Sequence, residues 1–439
     1  MQTRNKVVKN AAWIIACRII QSLLSVAVTM ISSRILAPEG YGLIHYAAAI
    51  VAFATPITGL GLGGVLVQEL VNTPEEEGKI IGTSLAMTLV SSVFCIAGVT
   101  AFAFIANAGE TETIIVCILY SAILIFQALE ITRYWFQAKL KSKFSSITSL
   151  VAYIVISIYK IVLLLLGGSI YFFALSTAFD YMIIAVVLLI IYHKQGGQKL
   201  SFSWEKAKQM FAKSKYYIIS NLMITIFAQT DKIMLKFMLG SDATGWYSAA
   251  VTCATMTGFI FTAIIDSMRP TIFESQKISE AQFEKNTTRL FSVVIYFSLM
   301  QCVAISLLAP IIIKVLNGAD YMPAVNPLRL IVWYTTFSYI GSVRNIWLLA
   351  KNKQKYILVM NMSGAVLNVG LNFIFIPMWG MVGAAFASLV TQVFNNVLIN
   401  FIVRPVAPVN LLMGKSLNPK YIIDFVKSMT KRRKKNDAN

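Results

Sequence analysis

Residues 11–67 read AAWIIACRIIQSLLSVAVTMISSRILAPEGYGLIHYAAAIVAFATPITGLGLGGVLV. Two apolar runs, 11–33 and 43–67, flank a short polar turn. Each run is long enough to cross a bilayer as a helix, which takes about 20 mostly apolar residues. The same pattern returns at 80–106, 113–135, 146–166, 170–192, 217–238, 245–268, 289–315, 327–350, 356–377 and 381–403. About twelve spanning helices therefore fill the chain. The expected fold class is an all-α integral membrane protein.

Composition agrees. Of 439 residues 57% are hydrophobic and only 13% charged, about half the ~25% usual in soluble domains. Mean hydropathy is +0.70 and the pI is near 9.6. The net charge of +19 does not point to nucleic acid, because no basic patch carries a reading motif. It fits the excess of Lys and Arg in cytoplasmic loops. Cys17, Cys95, Cys117, Cys253 and Cys302 lie in apolar runs without metal-ligand spacing, and His45 and His193 are too isolated for a metal site. Behind Arg4, Lys6 and Lys9, the run from Ala11 to Ile31 is too long for a signal-peptide core and reads as the first span.

Alternate connections set the orientation. One set carries Lys139, Lys141 and Lys143, then Lys194 through Lys215, then Lys277 and Lys285, then Lys351, Lys353 and Lys355. The other set, 107–112, 167–169, 239–244 and 378–380, is short and nearly free of positive charge. The first set is cytoplasmic, and so are both termini. Glu75, Glu76 and Glu77 dissent on that side, but acidic residues weigh little. The segment after Ser203 reads as a surface amphipathic helix or a solvated basic loop, and Lys431, Arg432, Arg433, Lys434 and Lys435 make a basic tail for the anionic inner leaflet.

An internal repeat links the first and seventh spans. Leu36, Glu39, Gly42 and Ala47 match Leu239, Asp242, Gly245 and Ala250 at one constant offset, and Arg18, Ser22, Thr29 and Ser33 match Asn221, Thr225, Lys232 and Lys236. Six spans separate the copies, so both share one orientation, a parallel repeat about the membrane normal. The expected organisation is an N-lobe at 1–192, a cytoplasmic linker at 193–216, a C-lobe at 217–403 and a basic tail at 404–439.

Several spans carry polar stripes at helical spacing: Arg18, Ser22, Ser25 and Thr29; Asn221, Thr225, Gln229, Lys232 and Lys236; Asn361, Asn368 and Asn372. Polar groups facing lipid are costly, so these stripes face protein or water. Interhelical hydrogen bonds account for single Ser, Thr and Asn residues. Full-length stripes suit a hydrated cavity better. A central charge costs at least ~2.5–3.5 kcal/mol, which makes intramembrane charge functional by default. The deep charges are mostly positive, so the two lobes are expected to surround a central cationic cavity for an anionic cargo. Candidate cargo contacts are Arg18, Lys160, Lys232, Arg344, Asn221, Asn368 and Asn372, with Arg344 lying off its helix's polar face. Candidate ion-coupling carboxylates are Asp180, Asp231 and Asp266. No nucleotide-binding or catalytic motif accompanies them, so no cofactor is expected beyond coupling to H⁺ or Na⁺. The run Gly59 to Gly64 reads as a helix break or close packing.

The chain resembles the polysaccharide-transporter branch of the multidrug/oligosaccharidyl-lipid/polysaccharide flippase superfamily, over about residues 5–405. The resemblance rests on Ser33-Arg34-Ile35-Leu36-Ala37-Pro38-Glu39-Gly40-Tyr41-Gly42, on Tyr134-Trp135-Phe136-Gln137-Ala138, and on Thr230-Asp231-Lys232-Ile233-Met234 with Gly245-Trp246-Tyr247-Ser248-Ala249-Ala250. Leu367, Asn368 and Asn372 with Pro377, Gly380, Gly383, Ala384 and Ala385 complete it. It implies two six-helix lobes, alternating access, and a polyprenyl-diphosphate-linked oligosaccharide moved from the inner to the outer leaflet of a bacterial cytoplasmic membrane. Implied partners are membrane lipids and the polymerase and glycosyltransferases of the same pathway. Gln68-Glu69 departs from the pattern, since many relatives carry a positive residue there.

Two other transporters fit less well: a multidrug or metabolite antiporter of the related branch, and a lipid-linked peptidoglycan-precursor flippase. Short external loops disfavour a membrane-embedded polymerase, and the cost of buried charge disfavours a mere scaffold.

Overall fold

The computed structural model describes the backbone of residues 2–423 and, apart from residues 2–12 and 15, their side chains. The basic run Lys431–Lys435 lies outside the described residues. Those described are mostly helical, and no strand occurs among them. By contacts the chain forms two compact units, Met1–Ser248 and Ala249–Asn439. Helix seven is thereby grouped with the first six.

In the first unit, α1 (Gln2–Thr58) carries spans one and two across a break at Ala37, whose φ of 56° and ψ of 175° interrupt the helix just before Pro38. A turn with positive φ at Leu60 and Gly61 separates it from α2 (Leu62–Asn72). The glycine run is thus both a helix break and a close contact. A Cβ on Gly61 would lie 2.7 Å from the Ser214 carbonyl oxygen, and one on Gly63 2.7 Å from the Tyr134 hydroxyl. α3 (Glu77–Ala106) is a single long helix. Span four is assembled from α4 (Thr111–Ser121), α5 (Ile123–Leu129), a 3₁₀ turn at Glu130–Thr132 and α6 (Arg133–Ala138). α7 (Ser142–Leu165) and α8 (Ile170–Lys194) follow. α9 (Trp204–Leu239) is continuous, so the segment after Ser203 extends the seventh span instead of forming a separate surface helix. Its Ser203 cap accepts a hydrogen bond from the Lys206 amide.

Two apolar clusters hold this unit. One joins Tyr46, Ala47 and Val51 of α1 to Cys117, Leu124, Ala174 and Ala178. The other joins Leu62 and Leu66 to Ile80, Trp135, Phe136, Tyr192 and Met210. The dissenting acidic loop has a structural explanation. Glu69 pairs with Lys213, Glu76 with Lys206 and Glu77 with Lys139, each at 2.6–2.9 Å. The acids balance lysines of the same face. Gly78 and Gly82 let the strand-like stretch 198–203 lie directly on α3, where the Ser201 amide donates to the Gly78 carbonyl.

α10 (Ser241–Thr255) contains the division between the units. In the second unit, α11 (Gly258–Ile278) follows α10 after a 41° bend. α12 (Glu280–Leu316) and α13 (Val325–Ala350) come next. α14 (Lys355–Val393) carries spans eleven and twelve across a break at Gly380, with φ 58°. A π-helical turn at Phe394–Leu398, α15 (Ile399–Ile402) and α16 (Pro408–Ser416) close the unit. Val409, Leu412 and Met413 of α16 join Phe261, Phe291, Val343 and Trp347 in one core, so the start of the expected tail is packed structure.

Among the described residues eight helices, or nine with the bent pair, are long and apolar enough to span. Two of these, Ala16–Asn72 and Lys355–Ile402, carry two expected spans each, and α13 adds a less apolar one. The twelve-span reading is consistent with this layout.

The repeat is legible in the backbone. Ala37 and Gly240, matched at the repeat offset, both leave the helix with positive φ and extended ψ: 56° and 175° against 89° and −175°. The matched glycines Gly42 and Gly245 pack against each other's turns. A Cβ on Gly42 would lie 1.9 Å from the Ser241 carbonyl oxygen, and one on Gly245 2.0 Å from that of Pro38.

Candidate functional site

Two half-buried cations of the first unit stand on α7 and α9, which both pack on α1. Lys160 of α7 donates to Thr177 Oγ1 at 3.4 Å and lies 5.2 Å above the Phe173 ring. Lys232 of α9 donates to Gln229 Oε1 at 3.0 Å. Both ammonium groups act electrostatically on His45 of α1, whose ring packs against Tyr41 at 4.3 Å. Two carboxylates oppose them. Asp180 acts on Lys160, and its Oδ1 is buried without a hydrogen bond. Asp231 acts on Lys232 and accepts the Tyr247 hydroxyl at 2.5 Å, which ties the two family motifs together. Beyond this cluster, Lys236 pairs with Glu110 at 2.7 Å, and Glu110 also accepts from Thr113. The Lys236 ammonium, then the Thr113 hydroxyl, hold that loop carboxyl below its ordinary range.

Two polar cavities adjoin the glycine turn. One, of about 600 Å³, is lined by Thr55, Pro56, Tyr134, Tyr217, Asn221 and Thr225. The other, of about 220 Å³, is lined by Thr58, Thr88, Gln127, Glu130, Arg133 and Tyr181. Thr55, Gly59, Gly63 and Tyr134 are common to both.

The remaining candidates are placed differently. Arg18 is exposed on α1, and its guanidinium makes no hydrogen bond or ion pair among the described residues. Arg344, 1% exposed, is enclosed in the second unit. It donates to the Asn395 carbonyl and, at 3.1 Å, to Asn345 Oδ1. Asn368 and Asn372 are fully buried; Asn372 donates to Asn368, which donates to Ser388 on the other limb of α14 at 3.2 Å. The first bond lies within one limb and the second ties the two limbs together. Asp266 is exposed and pairs with Arg269 at 2.9 Å. Among the described residues no group of three or more His, Cys, Asp and Glu could hold a metal.

His45, Thr58, Gln127, Glu130, Arg133 and Tyr181 escape a reading by stripes. The available signal was Glu130 and Arg133, three apart at the end of span four. They pair at 2.9 Å in a segment that is otherwise apolar.

The fold is that of the transporters of the multidrug/oligosaccharidyl-lipid/polysaccharide superfamily. The lipid II flippase MurJ, in an inward closed conformation, superposes with a TM-score of 0.70 at 14% identity, covering 94% of this chain and 92% of that one. An inward-facing multidrug resistance MATE transporter gives 0.68 at 14% identity, covering 88% and 96%. The family model described as polysaccharide biosynthesis protein matches residues 7–276, and the chain belongs to that family. A Shigella flexneri protein named as an O-antigen transporter is 21% identical over 418 residues, covering 90% of this chain and 97% of its own length. An uncharacterized membrane protein of Methanocaldococcus jannaschii is 26% identical over 246 residues, covering 52% and 47%. The protein is a multi-pass membrane protein of the polysaccharide biosynthesis family with the transporter fold.

Proposed function

We propose that the protein moves a polyprenyl-diphosphate-linked oligosaccharide from the inner to the outer leaflet of the cytoplasmic membrane by alternating access. The observation that carries this reading is the pair of half-buried cations on α7 and α9, Lys160 held at Thr177 and Lys232 at Gln229, in the membrane-spanning part. Buried cations must be compensated, and diphosphate is an anion that lysines hold as point charges. The Shigella flexneri relative named as an O-antigen transporter supports a lipid-linked glycan over a drug cation. Asn221, Thr225 and the tyrosines of the larger cavity offer hydroxyl and amide partners to sugars. The two lobes are assigned to spans one to six and seven to twelve, with both termini cytoplasmic. The polymerase and glycosyltransferases of the pathway are its proposed neighbours.

Coupling is assigned to Asp180 before Asp231, because an Asp180 oxygen is buried without a hydrogen bond while Asp231 is engaged by Tyr247. The surface pair of Asp266 gives it no such role. The test is flipping in sealed vesicles. Lys160→Ala and Lys232→Ala should each lower the rate at least about tenfold at unchanged membrane level, since a lost charged contact of ~1.5–3 kcal/mol corresponds to that or more. Asp180→Asn should exchange cargo down its gradient yet ignore an imposed H⁺ or Na⁺ gradient. Wild-type rates in both alanine variants would remove the cluster from the cargo path.

A further inference from the structure

The smaller polar cavity has more hydrogen-bond acceptors than its own residues use. Thr58, 2% exposed, lines it with an Oγ1 that makes no hydrogen bond among the described residues. Gln127 lines it too, its amide engaged with the Tyr181 hydroxyl and its Oε1 without a hydrogen bond among the described residues. Glu130, 6% exposed, gives Oε1 to Arg133 at 2.9 Å. Buried polar atoms are normally satisfied, and each one left over costs ~1–3 kcal/mol. Orphan oxygens on residues that line one cavity are what a ligand bringing donors would satisfy once it displaced the atoms that now cover them. Tyr134 and Tyr181 add flat aromatic walls with hydroxyl tips. Arg133 adds donors, so the lining answers a group that both donates and accepts.

Size narrows the class. The cavity, of about 220 Å³, falls below the ~300–1,000 Å³ of sites that enclose drug-sized ligands. It suits one small ring. The adjoining cavity, of about 600 Å³, has room for more of the same molecule. Their common wall is the turn at Gly59–Gly63 with Tyr134. Gly63 leaves no room for a Cβ beside the Tyr134 hydroxyl, so the tyrosine stands at the junction. A neutral polyhydroxylated ring matches every feature: hydroxyl donors for Thr58, Gln127 and Glu130, acceptors for Arg133, and an apolar ring face for the tyrosines. A bare metal cation matches less well, because the Arg133 guanidinium already neutralises Glu130.

We propose that the compartment of Thr58, Gln127, Glu130, Arg133 and Tyr181 is a sugar subsite that reads a single monosaccharide unit of the cargo. It rests on the flippase reading and adds a specificity determinant separate from the cationic cluster. Residues there would select which glycan is admitted, while Lys160 and Lys232 hold the diphosphate common to all such carriers.

The test uses the full-length protein in detergent and two probe sets. Farnesyl diphosphate reports the cationic cluster. A panel of glucose, galactose, rhamnose and N-acetylglucosamine reports the subsite. Thermal-shift titrations should show at least one sugar stabilising the wild type. Thr58→Val, close in shape but without the hydroxyl, and Glu130→Gln should weaken that sugar about tenfold or more and leave farnesyl diphosphate within about twofold. Lys160→Ala should do the reverse. Farnesyl diphosphate binding certifies the fold of the Thr58 and Glu130 variants, and sugar binding certifies that of Lys160→Ala. If farnesyl diphosphate binds but no sugar does, or if the variants respond to sugar as the wild type does, the subsite is overturned and the flippase reading stands. Should farnesyl diphosphate fail to bind the wild type, the flippase reading falls and the subsite falls with it.

Discussion

Each buried charge in this chain is held by a different kind of neighbour. Lys160 and Lys232 have hydroxyl, amide and aromatic contacts and carboxylates that act on them. Arg344 has the Asn345 amide oxygen but no aromatic or carboxylate partner among the described residues. Its guanidinium is fixed to the main chain at the π-helical turn. That makes it a structural bolt between α13 and the end of α14. Removing it strands the Asn395 carbonyl and opens a cavity, at a cost of about 2–5 kcal/mol. Arg344→Ala should therefore lower the melting temperature in detergent and the membrane level together, with flipping per folded molecule unchanged. A normal melting temperature with lost flipping would return Arg344 to the cargo path. At sequence level Arg344 and Lys160 look alike, as one cation each in an apolar helix. What separates them is the partner, and partners come from other helices.

At the scale of elements, the repeat-matched breaks deserve comparison because they hold different residues in one conformation. Position 37 holds alanine at a positive φ with extended ψ, a region that costs a non-glycine residue about 1–3 kcal/mol. Position 240 holds glycine there. Ala37→Gly should then be neutral or raise the melting temperature slightly, and Gly240→Ala should lower it by the equivalent of about 1–3 kcal/mol without loss of fold. Gly42 and Gly245 behave otherwise. An added methyl at either meets a main-chain oxygen at about van der Waals overlap, 1.9 and 2.0 Å, and backbone cannot step aside as a side chain does. Gly42→Ala and Gly245→Ala should abolish stable membrane expression, measured by fluorescence size-exclusion of a tagged protein. Monodisperse, wild-type levels for both would show that the two turns do not need this approach. The matched residues Gly42 and Gly245 were visible in the sequence as a repeat. That they touch each other was not, because a repeat in sequence says nothing about which copies meet.

For the molecule as a whole, the distribution of lysines implies a topology that labelling can check. Cysteine at Thr111 or Asp242, in a background without the five native cysteines, should react with a membrane-impermeant thiol reagent added to intact cells. Cysteine at Lys199 or Asn352 should react only after permeabilisation. Labelling of the Lys199 position from outside would invert the orientation.

What the sequence determined by itself was the helical membrane class, the number and approximate place of the spans, the loop asymmetry and the family. Each follows from a local rule: lipid demands about 20 apolar residues per span and satisfied backbone groups, and both are written along the chain. The merged helices at Ala37 and Gly380 and the continuous α9 shift boundaries without changing the count of spans. Tertiary structure alone decided which polar residues share a site. Asn368 and Asn372 stand on as regular a stripe as Asn221 and Thr225, yet Asn372 bonds to Asn368, which bonds across the limbs of α14, while the others line a cavity. The same stripe satisfies either arrangement, because a polar side chain in a membrane needs only to avoid lipid. Whether it meets another helix or an open cavity depends on how distant segments pack, and no single helix carries that information.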